Sequence, residues 1–322
     1  MKHLINYNAI VQENYTKYTL NHAKVIIKYF FLAPIYRLIY LLAHQKATKK
    51  RYNVSITAIF RNEGEFLREW ITYHQLIGIE HFYLYNNNSD DDSVQVLAPF
   101  IAEGSVTLID FPEPYAQVKA YKHSLKHHAH ESSWIAFIDI DEFICLKRHD
   151  KIGQWIASYS RYASVILDWK IFGTSNIKQR TPNSLIIDQF THSWRSCVNL
   201  GKSIVNTAYT FDRGEFVHKF HARRHGLTYP PVDEFKNPIA HGVHPCRILR
   251  GESTAQLNHY WSRSLEDYEY KIIGRGDVFS ANAYETRCQR IWDLFERHEA
   301  MCTSIDNTIR RHTKELKQKM GI

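Results

Sequence analysis

Two hydrophobic patterns alternate between residues 53 and 139, and this alternation limits the possible folds more than any other feature of the chain. Short apolar runs are typical of buried strands, whereas apolar residues three or four positions apart are typical of amphipathic helices. The predicted strands are 54–60, 81–85, 105–110 and 134–139, and the predicted helices are 65–77, a stretch ending near Pro99, and 115–129. Such alternation predicts an α/β fold with a parallel sheet covered by helices on both faces.

Two acidic residues stand at the end of the last of these strands. An apolar run from Trp134 to Ile138 leads directly into Asp139-Ile140-Asp141. Because alternate side chains of extended backbone share a face, Asp139 and Asp141 are expected to point the same way. Adjacent carboxylates repel one another unless a cation lies between them, and Mg²⁺ or Mn²⁺ suits oxygen ligands. The alternative is an ordinary acidic turn after a strand.

Polar loops after three of the predicted strands favour the first interpretation. These loops are 61–64, 86–92 and 139–141. Ligands of parallel α/β sheets bind outside the carboxyl ends of the strands. Since all three loops carry groups that can hold a nucleotide and its metal, the sequence predicts a nucleotide and metal site at this edge.

Charge and cysteine content narrow the setting of the protein. The net charge of +8 suits an anionic membrane surface, a phosphorylated substrate or nucleic acid. No nucleic acid partner is expected, since the chain lacks a basic recognition helix, a zinc finger and an aromatic RNA-binding signature. Five scattered cysteines without a Cys-x-x-Cys pair indicate a reduced, cytoplasmic protein.

The apolar stretch 25–43 is the strongest hydrophobic segment near the start of the chain. A spanning helix would bury Lys28 and Arg37 at a cost of about 2.5 to 3.5 kcal/mol each. A helix in the membrane interface fits better, with the basic residues between 24 and 51 near anionic headgroups. The alternative is a helix packed on the rest of the protein or on a partner subunit.

Three motifs in a fixed order carry a resemblance to a known family. The first is Arg61-Asn62-Glu63 followed by Glu69-Trp70 and His74, and the second runs from 77 to 91 through Asn86-Asn87-Asn88-Ser89. The third is Gln117 followed by the stretch 137–143, and weaker matches lie at 169–173, Lys202, 258–260, Lys271 and Gly274. Over roughly residues 56–277 the chain resembles bacterial members of glycosyltransferase family 92 and related family-2-like proteins, which have the GT-A fold.

This resemblance implies a Rossmann-like, mostly parallel central sheet and a metal-dependent, inverting sugar transfer. The donor would be a UDP-sugar, with galactose as the expected sugar, and the acceptor a glycan or lipooligosaccharide. The cofactor would be Mn²⁺ or Mg²⁺, which neutralises the charge of the leaving nucleoside diphosphate. The expected location is the cytoplasm, with peripheral contact with the inner membrane through residues 24–51.

The resemblance also implies roles for individual residues. Asp141 would be a direct metal ligand, Asp139 would contact the ribose or reach the metal through water, and His259, or else His244, would complete the metal site. The implied donor-binding residues are Arg61, Asn62, Glu63, Asn88, Asp91, Gln117, Asp139 and Lys202. Lys202, His218, His221 and Arg223 could clamp the diphosphate, although a solvated basic surface is the alternative.

An inverting reaction needs a carboxylate base for the acceptor hydroxyl. Asp212, Glu215, Asp233 and Glu234 lie in the appropriate half of the chain, and Asp233 or Glu234 is favoured because both precede the proposed metal histidine. The expected organisation is an N-terminal helical segment, a nucleotide-sugar-binding half, an acceptor-binding half of the same domain and a basic helical tail. Their bounds are 1–52, 53–150, 151–280 and 281–322.

Two other classes of protein compete with this interpretation. Haloacid-dehalogenase-like phosphohydrolases also use an apolar strand followed by Asp-x-Asp and Mg²⁺. Here, however, Glu142-Phe143 follows the pair, which comes after the fourth predicted strand and not the first. A non-enzymatic carbohydrate-binding module would use the 20 Tyr and 7 Trp for sugar stacking, but it would have little use for acidic loops at three strand ends.

Overall fold

The computed structural model describes residues 20–43, 49–198, 200–213, 217–224, 226–239, 253–274 and 284–322. Its first half alternates as predicted. After helix α1 (Leu20–Leu42) come β1 (Tyr52–Phe60), α2 (Gly64–Leu76), β2 (His81–Asn86), α3 (Ser93–Ala102), β3 (Val106–Asp110), α4 (Gln117–His128) and β4 (Ser132–Phe137).

The second half does not continue the regular alternation of strands and helices. The strands are β5 (Glu142–Leu146), β6 (Ser164–Ile171), β7 (His192–Ser193), β8 (Gly201–Asn206), β9 (Thr210–Arg213), β10 (His221–Arg224), β11 (Leu227–Tyr229), β12 (Ala255–His259) and β13 (Ser304–Ile305). The helices are α5 (Ile152–Ile156), α6 (Ile186–Gln189), α7 (Leu265–Glu269), α8 (Tyr284–Met301) and α9 (Thr313–Met320), with 3₁₀ turns at Ala157–Tyr159 and Thr308–His312 and a π-helical turn at Tyr270–Gly274.

The largest sheet in the described part of the chain has eight strands, in the order β3-β2-β1-β4-β8-β6-β12-β5. The pairs β1/β2, β2/β3, β1/β4 and β6/β12 are parallel, whereas β4/β8, β6/β8 and β5/β12 are antiparallel. The predicted α/β architecture with a mostly parallel sheet is therefore confirmed. The antiparallel β8, inserted between β4 and β6, joins the two halves into one sheet.

The geometry expected for Asp139 is wrong in one respect. Strand β4 ends at Phe137, and Asp139 lies in the turn before β5 instead of in the strand. The Glu142 carboxylate causes this, because its Oε2 accepts the Asp139 N–H at 2.8 Å and takes that group out of the sheet ladder. The backbone N–H of Glu142 in turn donates to the Asp139 carbonyl oxygen at 3.1 Å. Strand alternation therefore does not orient Asp139 and Asp141.

Helices lie at both ends of the described chain. Within the described ranges, no helix combines the length and hydropathy that a membrane crossing requires. At the other end, the basic tail is not only a solvated helix face, since Leu316 and Ile309 are buried. Lys317 and Arg310 of the tail form ion pairs with Asp188, at 2.8 and 3.4 Å.

Candidate active site

The carboxyl ends of β1 and β2 are held together by their own loops. The Asp91 carboxylate accepts the Gly64 N–H at 2.8 Å, and the Asn62 side-chain amide donates to Asp90 at 2.6 Å. A side chain at Gly64 would place Cβ 2.9 Å from the Ser93 backbone nitrogen, so this close approach requires glycine. The predicted meeting of the two loops is confirmed, and Asn62 and Asp91 serve it by linking one loop to the other.

Asp139 lies in a fixed polar environment at the end of β4. Its carboxylate accepts hydrogen bonds from the Lys202 ammonium at 2.7 Å, the Gln117 amide at 2.7 Å and the Tyr121 hydroxyl at 3.1 Å. Lys202, on β8, is only 1% exposed, whereas the Asp139 side chain is 32% exposed. The structure thus brings together three of the predicted donor-binding residues, Asp139, Gln117 and Lys202.

Glu142 completes the charge balance around Lys202. Its side chain is fully buried, and its Oε1 accepts the Trp169 indole N–H at 2.6 Å. Burial would lower the pKa of the Lys202 ammonium, but the nearby Asp139 and Glu142 carboxylates raise it above its ordinary range. Lys202 is therefore a permanent cation that pairs with Asp139, whereas burial raises the pKa of the adjacent Glu142 well above its usual range.

Asp141 lies in a different environment, two residues further along. The Lys271 ammonium donates to its Oδ2 at 2.6 Å, and Nε2 of His259 lies 3.6 Å from its Oδ1. The carboxylate is 9% exposed. Burial alone would raise the pKa of Asp141. The nearby Lys271 and His259 nevertheless hold this pKa well below its usual range. Asp141 is therefore ionised at neutral pH, as a metal ligand must be.

His259 is the last residue of β12 and is fixed by its neighbours. The backbone of β12 pairs with β5 and β6, which aligns His259 with Glu142 and Ile171. Its ring packs on the Trp169 indole, with the ring centroids 4.6 Å apart. A buried ionised carboxylate facing an imidazole nitrogen is a donor set that fits Mn²⁺. Of the three predicted metal residues, the structure brings Asp141 and His259 together, while the Asp139 carboxylate is turned toward Lys202.

Arg263 is a site residue that the sequence reasoning missed. Its guanidinium donates to the Glu63 carboxylate at 2.9 Å and lies over the Phe66 ring, 3.5 Å from the centroid. Both members of the ion pair are buried, so the pair is a fixed part of the site. The only sequence signal was its position shortly after Asn258-His259-Tyr260.

A cavity of about 560 Å³ opens beside these groups. This volume falls in the range of small-molecule sites. The lining residues include Glu63, Asp91, Arg180, Arg263, Tyr270 and Lys271. Since Lys271 also contacts Asp141, the cavity and the Asp141–His259 pair adjoin one another.

The two residues favoured as the base lie elsewhere. The Asp233 carboxylate closes its own turn by accepting the backbone N–H groups of Phe235 and Asn237, at 2.9 and 2.8 Å. Glu234 accepts the backbone N–H of Ala255, the first residue of β12, at 3.1 Å. His259 is the last residue of that strand, about 13 Å away at roughly 3.3 Å per residue. This placement argues against either as the base.

The remaining predicted residues are placed as follows. His218 Nδ1 lies 2.9 Å from the Gly201 carbonyl oxygen, next to Lys202, whereas His221 and Arg223 lie in the separate three-stranded sheet of β9, β10 and β11. Asn88 lies in the loop after β2 with a φ of 56°, and Arg61 is exposed after β1. His244, Glu215 and the Asp212 side chain lie outside the described residues.

His298, Glu299 and Cys302 form a second group of potential metal ligands in the described ranges, with ligand atoms within 4.8 Å of one another. The Glu299 carboxylate, however, accepts the Thr174 backbone N–H at 2.9 Å and its hydroxyl at 2.7 Å. The His298 ring stacks on the Trp261 ring at 4.8 Å. Through these contacts the group links α8 to the loop that leads to Arg263.

Comparison with known proteins assigns the family. The family model of glycosyltransferase family 92 matches residues 50–269. A family 92 protein of Ricinus communis is 26% identical over 265 residues, covering 76% of this chain and 41% of the relative. Galactan β-1,4-galactosyltransferase of Arabidopsis thaliana is 29% identical over 112 residues, covering 32% of this chain and 22% of the relative. The chain therefore spans less than half the length of these relatives.

Solved structures show more distant likeness. The TarS protein of S. aureus, residues 1–349, has a TM-score of 0.38 at 10% identity and covers 77% of this chain and 71% of that chain. Glucosyl-3-phosphoglycerate synthase of Mycobacterium tuberculosis, in a complex with Mn²⁺ and UDP, has a TM-score of 0.28 at 14% identity and covers 49% and 57%. The match of the family model over more than half of the chain shows that this protein belongs to glycosyltransferase family 92.

Proposed function

We propose that this chain transfers a hexose from a UDP-sugar to a glycan or lipooligosaccharide acceptor, with inversion and with the help of a divalent metal ion. The observation that carries the proposal is the Asp141–His259 pair, with 3.6 Å between Oδ1 and Nε2, beside a cavity of mixed charge at the carboxyl edge of the sheet that Lys271 also lines. Membership of family 92 supports the reaction class.

Asp141 and His259 are the residues that would hold Mn²⁺ or Mg²⁺. When bound, the ion would neutralise the charge that develops on the nucleoside diphosphate leaving group. The imidazole favours Mn²⁺ over Mg²⁺, which prefers oxygen ligands alone. The protein supplies further positive charge from Lys271 and Arg263, which both line the cavity and can hydrogen-bond diphosphate oxygens.

Asp139 has a separate role in this proposal. Lys202, Gln117 and Tyr121 fix its carboxylate in one orientation, yet about a third of the side chain stays exposed. A fixed and accessible carboxylate can accept hydrogen bonds from ribose hydroxyls. The loops after β1 and β2, with Arg61, Asn62, Glu63 and Asn88, would meet the nucleoside.

Galactose is the proposed sugar. The support is the relative named galactan β-1,4-galactosyltransferase, which aligns with 32% of this chain. Acceptor hydroxyls of a growing glycan would approach the donor from the second half of the chain, since the first half supplies the loops at β1 and β2.

Thermal shift with a panel of nucleotide sugars, followed by a transfer assay, tests the proposal. UDP-galactose with Mn²⁺ should raise the midpoint of unfolding of the wild-type protein, and the Asp141→Asn variant should lose the metal-dependent part of the increase. Failure of every UDP-sugar to stabilise the wild type would contradict it. Hydrolysis of an aryl phosphate without sugar transfer would instead favour a phosphohydrolase.

A further inference from the structure

The geometry points to Lys271 as a side chain that competes with the metal ion for the Asp141 carboxylate. The Lys271 ammonium holds Asp141 while the donor is absent and moves to the donor diphosphate when it arrives, so that metal binds tightly only together with nucleotide. This inference rests on the proposed function and adds an order of binding to it.

Both oxygen atoms of Asp141 already face positive or polar partners. Lys271 Nζ lies 2.6 Å from Oδ2, and His259 Nε2 lies 3.6 Å from Oδ1. The backbone carbonyl of Asp141 accepts the Tyr260 N–H at 2.8 Å, which keeps the loop close to the end of β12. An ammonium at hydrogen-bond distance and a divalent ion repel each other strongly when both contact one buried carboxylate. Metal binding at Asp141 therefore requires Lys271 to leave Oδ2.

The cavity offers a second position for the Lys271 ammonium. Its side chain is 28% exposed and lines the cavity together with Arg263 and Arg180. A lysine carries its charge on a flexible four-carbon stem, so a rotation of the side chain can carry the ammonium from Asp141 to an anion in the cavity. It also lies in the π-helical turn Tyr270–Gly274, and such turns occur often at functional sites.

Lys202, the other lysine of the site, cannot exchange its carboxylate partner for a ligand in this way. It is 1% exposed and lies between Asp139 and Glu142, which both favour its charged form. Because its ammonium is almost fully buried and paired with Asp139, Lys202 cannot turn toward a diphosphate in the cavity. Of these two lysines, Lys271 is the one whose contacts permit exchange.

Calorimetric titration of Mn²⁺ and of UDP into the wild type, Lys271→Met and a control variant tests the inference. Without nucleotide, Lys271→Met should bind Mn²⁺ about tenfold more tightly than the wild type, because the competing cation is gone. In the presence of Mn²⁺ it should bind UDP about tenfold more weakly, because the diphosphate loses a cation. Lys178→Met removes an exposed lysine close to the cavity-lining Arg180 and should match the wild type in both titrations.

The opposite signs of the two effects separate the inference from simpler accounts. Equal or weaker Mn²⁺ binding by a folded Lys271→Met protein would overturn the competition, and Lys271→Gln guards against an effect of the methionine side chain. Tighter Mn²⁺ binding with unchanged UDP affinity would contradict the move to the diphosphate. If one of these results is found but the wild type binds Mn²⁺ and UDP together, the inference fails and the proposed function stands. If the wild type binds neither Mn²⁺ nor UDP, the inference and the proposed function both fail.

A separate observation concerns the outer face of α1. Seven large apolar side chains of this helix are exposed, each by 54% or more. They are Ile27, Phe30, Phe31, Ile35, Leu38, Leu41 and Leu42. The opposite side packs on the protein through Ala33 and Tyr40, and the Tyr40 hydroxyl donates to the Pro230 carbonyl oxygen. The helix is therefore apolar on both sides, with one side against the protein.

We infer that this outer face lies on an anionic lipid bilayer. Residues 14–51 contain eight Lys or Arg and no Asp or Glu, so the charge complements anionic headgroups. The same excess of positive charge in the sequence disfavours a second copy of the chain on this face. An apolar helix face flanked by basic residues is the pattern of helices that lie in the membrane interface.

Flotation of the full chain with vesicles tests this second inference. The protein should float with phosphatidylcholine vesicles that contain phosphatidylglycerol, far less with phosphatidylcholine alone, and less at high salt. The double variant Phe31→Ser, Leu38→Ser should lose most of the binding, whereas Ile305→Ser, which removes an exposed apolar residue of β13, should keep it. Absence of flotation, or a dimer in size-exclusion chromatography that the double variant abolishes, would overturn it.

Discussion

Asp139 and Asp141 are two residues apart, yet the structure gives them different surroundings. Asp139 accepts hydrogen bonds from Lys202, Gln117 and Tyr121, and its lysine is buried and permanently paired. Asp141 contacts Lys271 and His259, and its lysine is 28% exposed at the edge of a cavity. The comparison shows that one Asp-x-Asp motif can supply a rigid hydrogen-bond acceptor and an exchangeable cation ligand.

The largest expected difference between the two acids is in catalysis. Asp141→Asn should lower kcat/KM for sugar transfer by roughly a thousandfold, because the amide cannot supply the charge that holds a divalent ion. The measurement is a transfer assay with UDP-galactose at saturating Mn²⁺. An activity within tenfold of the wild type would place the metal elsewhere and break the comparison.

Stability should show the difference between the two lysines. Lys202→Met leaves Asp139 without its buried cation and should lower the free energy of unfolding by about 3 to 5 kcal/mol. Lys271→Met should cost much less, since the Lys271 side chain is 28% exposed and water screens its charge. Urea unfolding of the two variants decides this. Equal losses would show that Lys271 is as structural as Lys202.

Asp139→Asn should have a smaller effect on the reaction than Asp141→Asn, and this effect should lie in donor binding. The asparagine keeps one acceptor oxygen for Gln117 or ribose but loses the charge that pairs with Lys202. The affinity for UDP in the presence of Mn²⁺ should fall about tenfold, the value of one charge-assisted hydrogen bond. Calorimetric titration measures it, and an unchanged affinity would remove Asp139 from the donor site.

Close to neutral pH, the smallest effect concerns His74, which supports the strand after Asp141. His74 accepts the backbone N–H of Ile144 in β5 at 3.3 Å, and burial lowers its pKa from 6.5 to about 3. The unfolded chain takes up a proton near pH 6.5 that the folded protein refuses down to about pH 3. The free energy of unfolding therefore falls as the pH decreases through that window.

His74→Gln should make this decrease shallower by up to about 1.4 kcal/mol per pH unit. The difference between wild type and variant isolates His74 from other groups, such as Glu69, whose pKa burial raises to about 7 and whose effect has the opposite sign. Urea unfolding at several pH values measures the slopes. Equal slopes for the two proteins would contradict the pKa of His74.

The sequence predicted those features that repeat along the chain or follow strand ends. Alternating periodicity predicted β1 to β4, and the polar loops at their ends predicted the edge where Asp139 and Asp141 lie. The family resemblance added Lys202 and His259, whose contacts with Asp139 and Asp141 the structure shows.

The remaining features depend on contacts that carry no local pattern. Arg263 pairs with Glu63 across 200 positions of the chain. The Glu142 side chain turns Asp139 out of the strand, which strand alternation cannot anticipate. Asp233 and Glu234 were favoured from their order in the chain, but Glu234 contacts the first residue of β12 whereas His259 is the last.

The most direct test of the account is Mn²⁺ binding in the presence of UDP, followed by the paramagnetic resonance of Mn²⁺, in Asp141→Asn and Asp139→Asn side by side. Asp141→Asn should lose Mn²⁺ binding, while Asp139→Asn should keep an affinity within a few-fold of the wild type. Equal loss in both variants, or loss only in Asp139→Asn, would contradict the division of roles between the two acids.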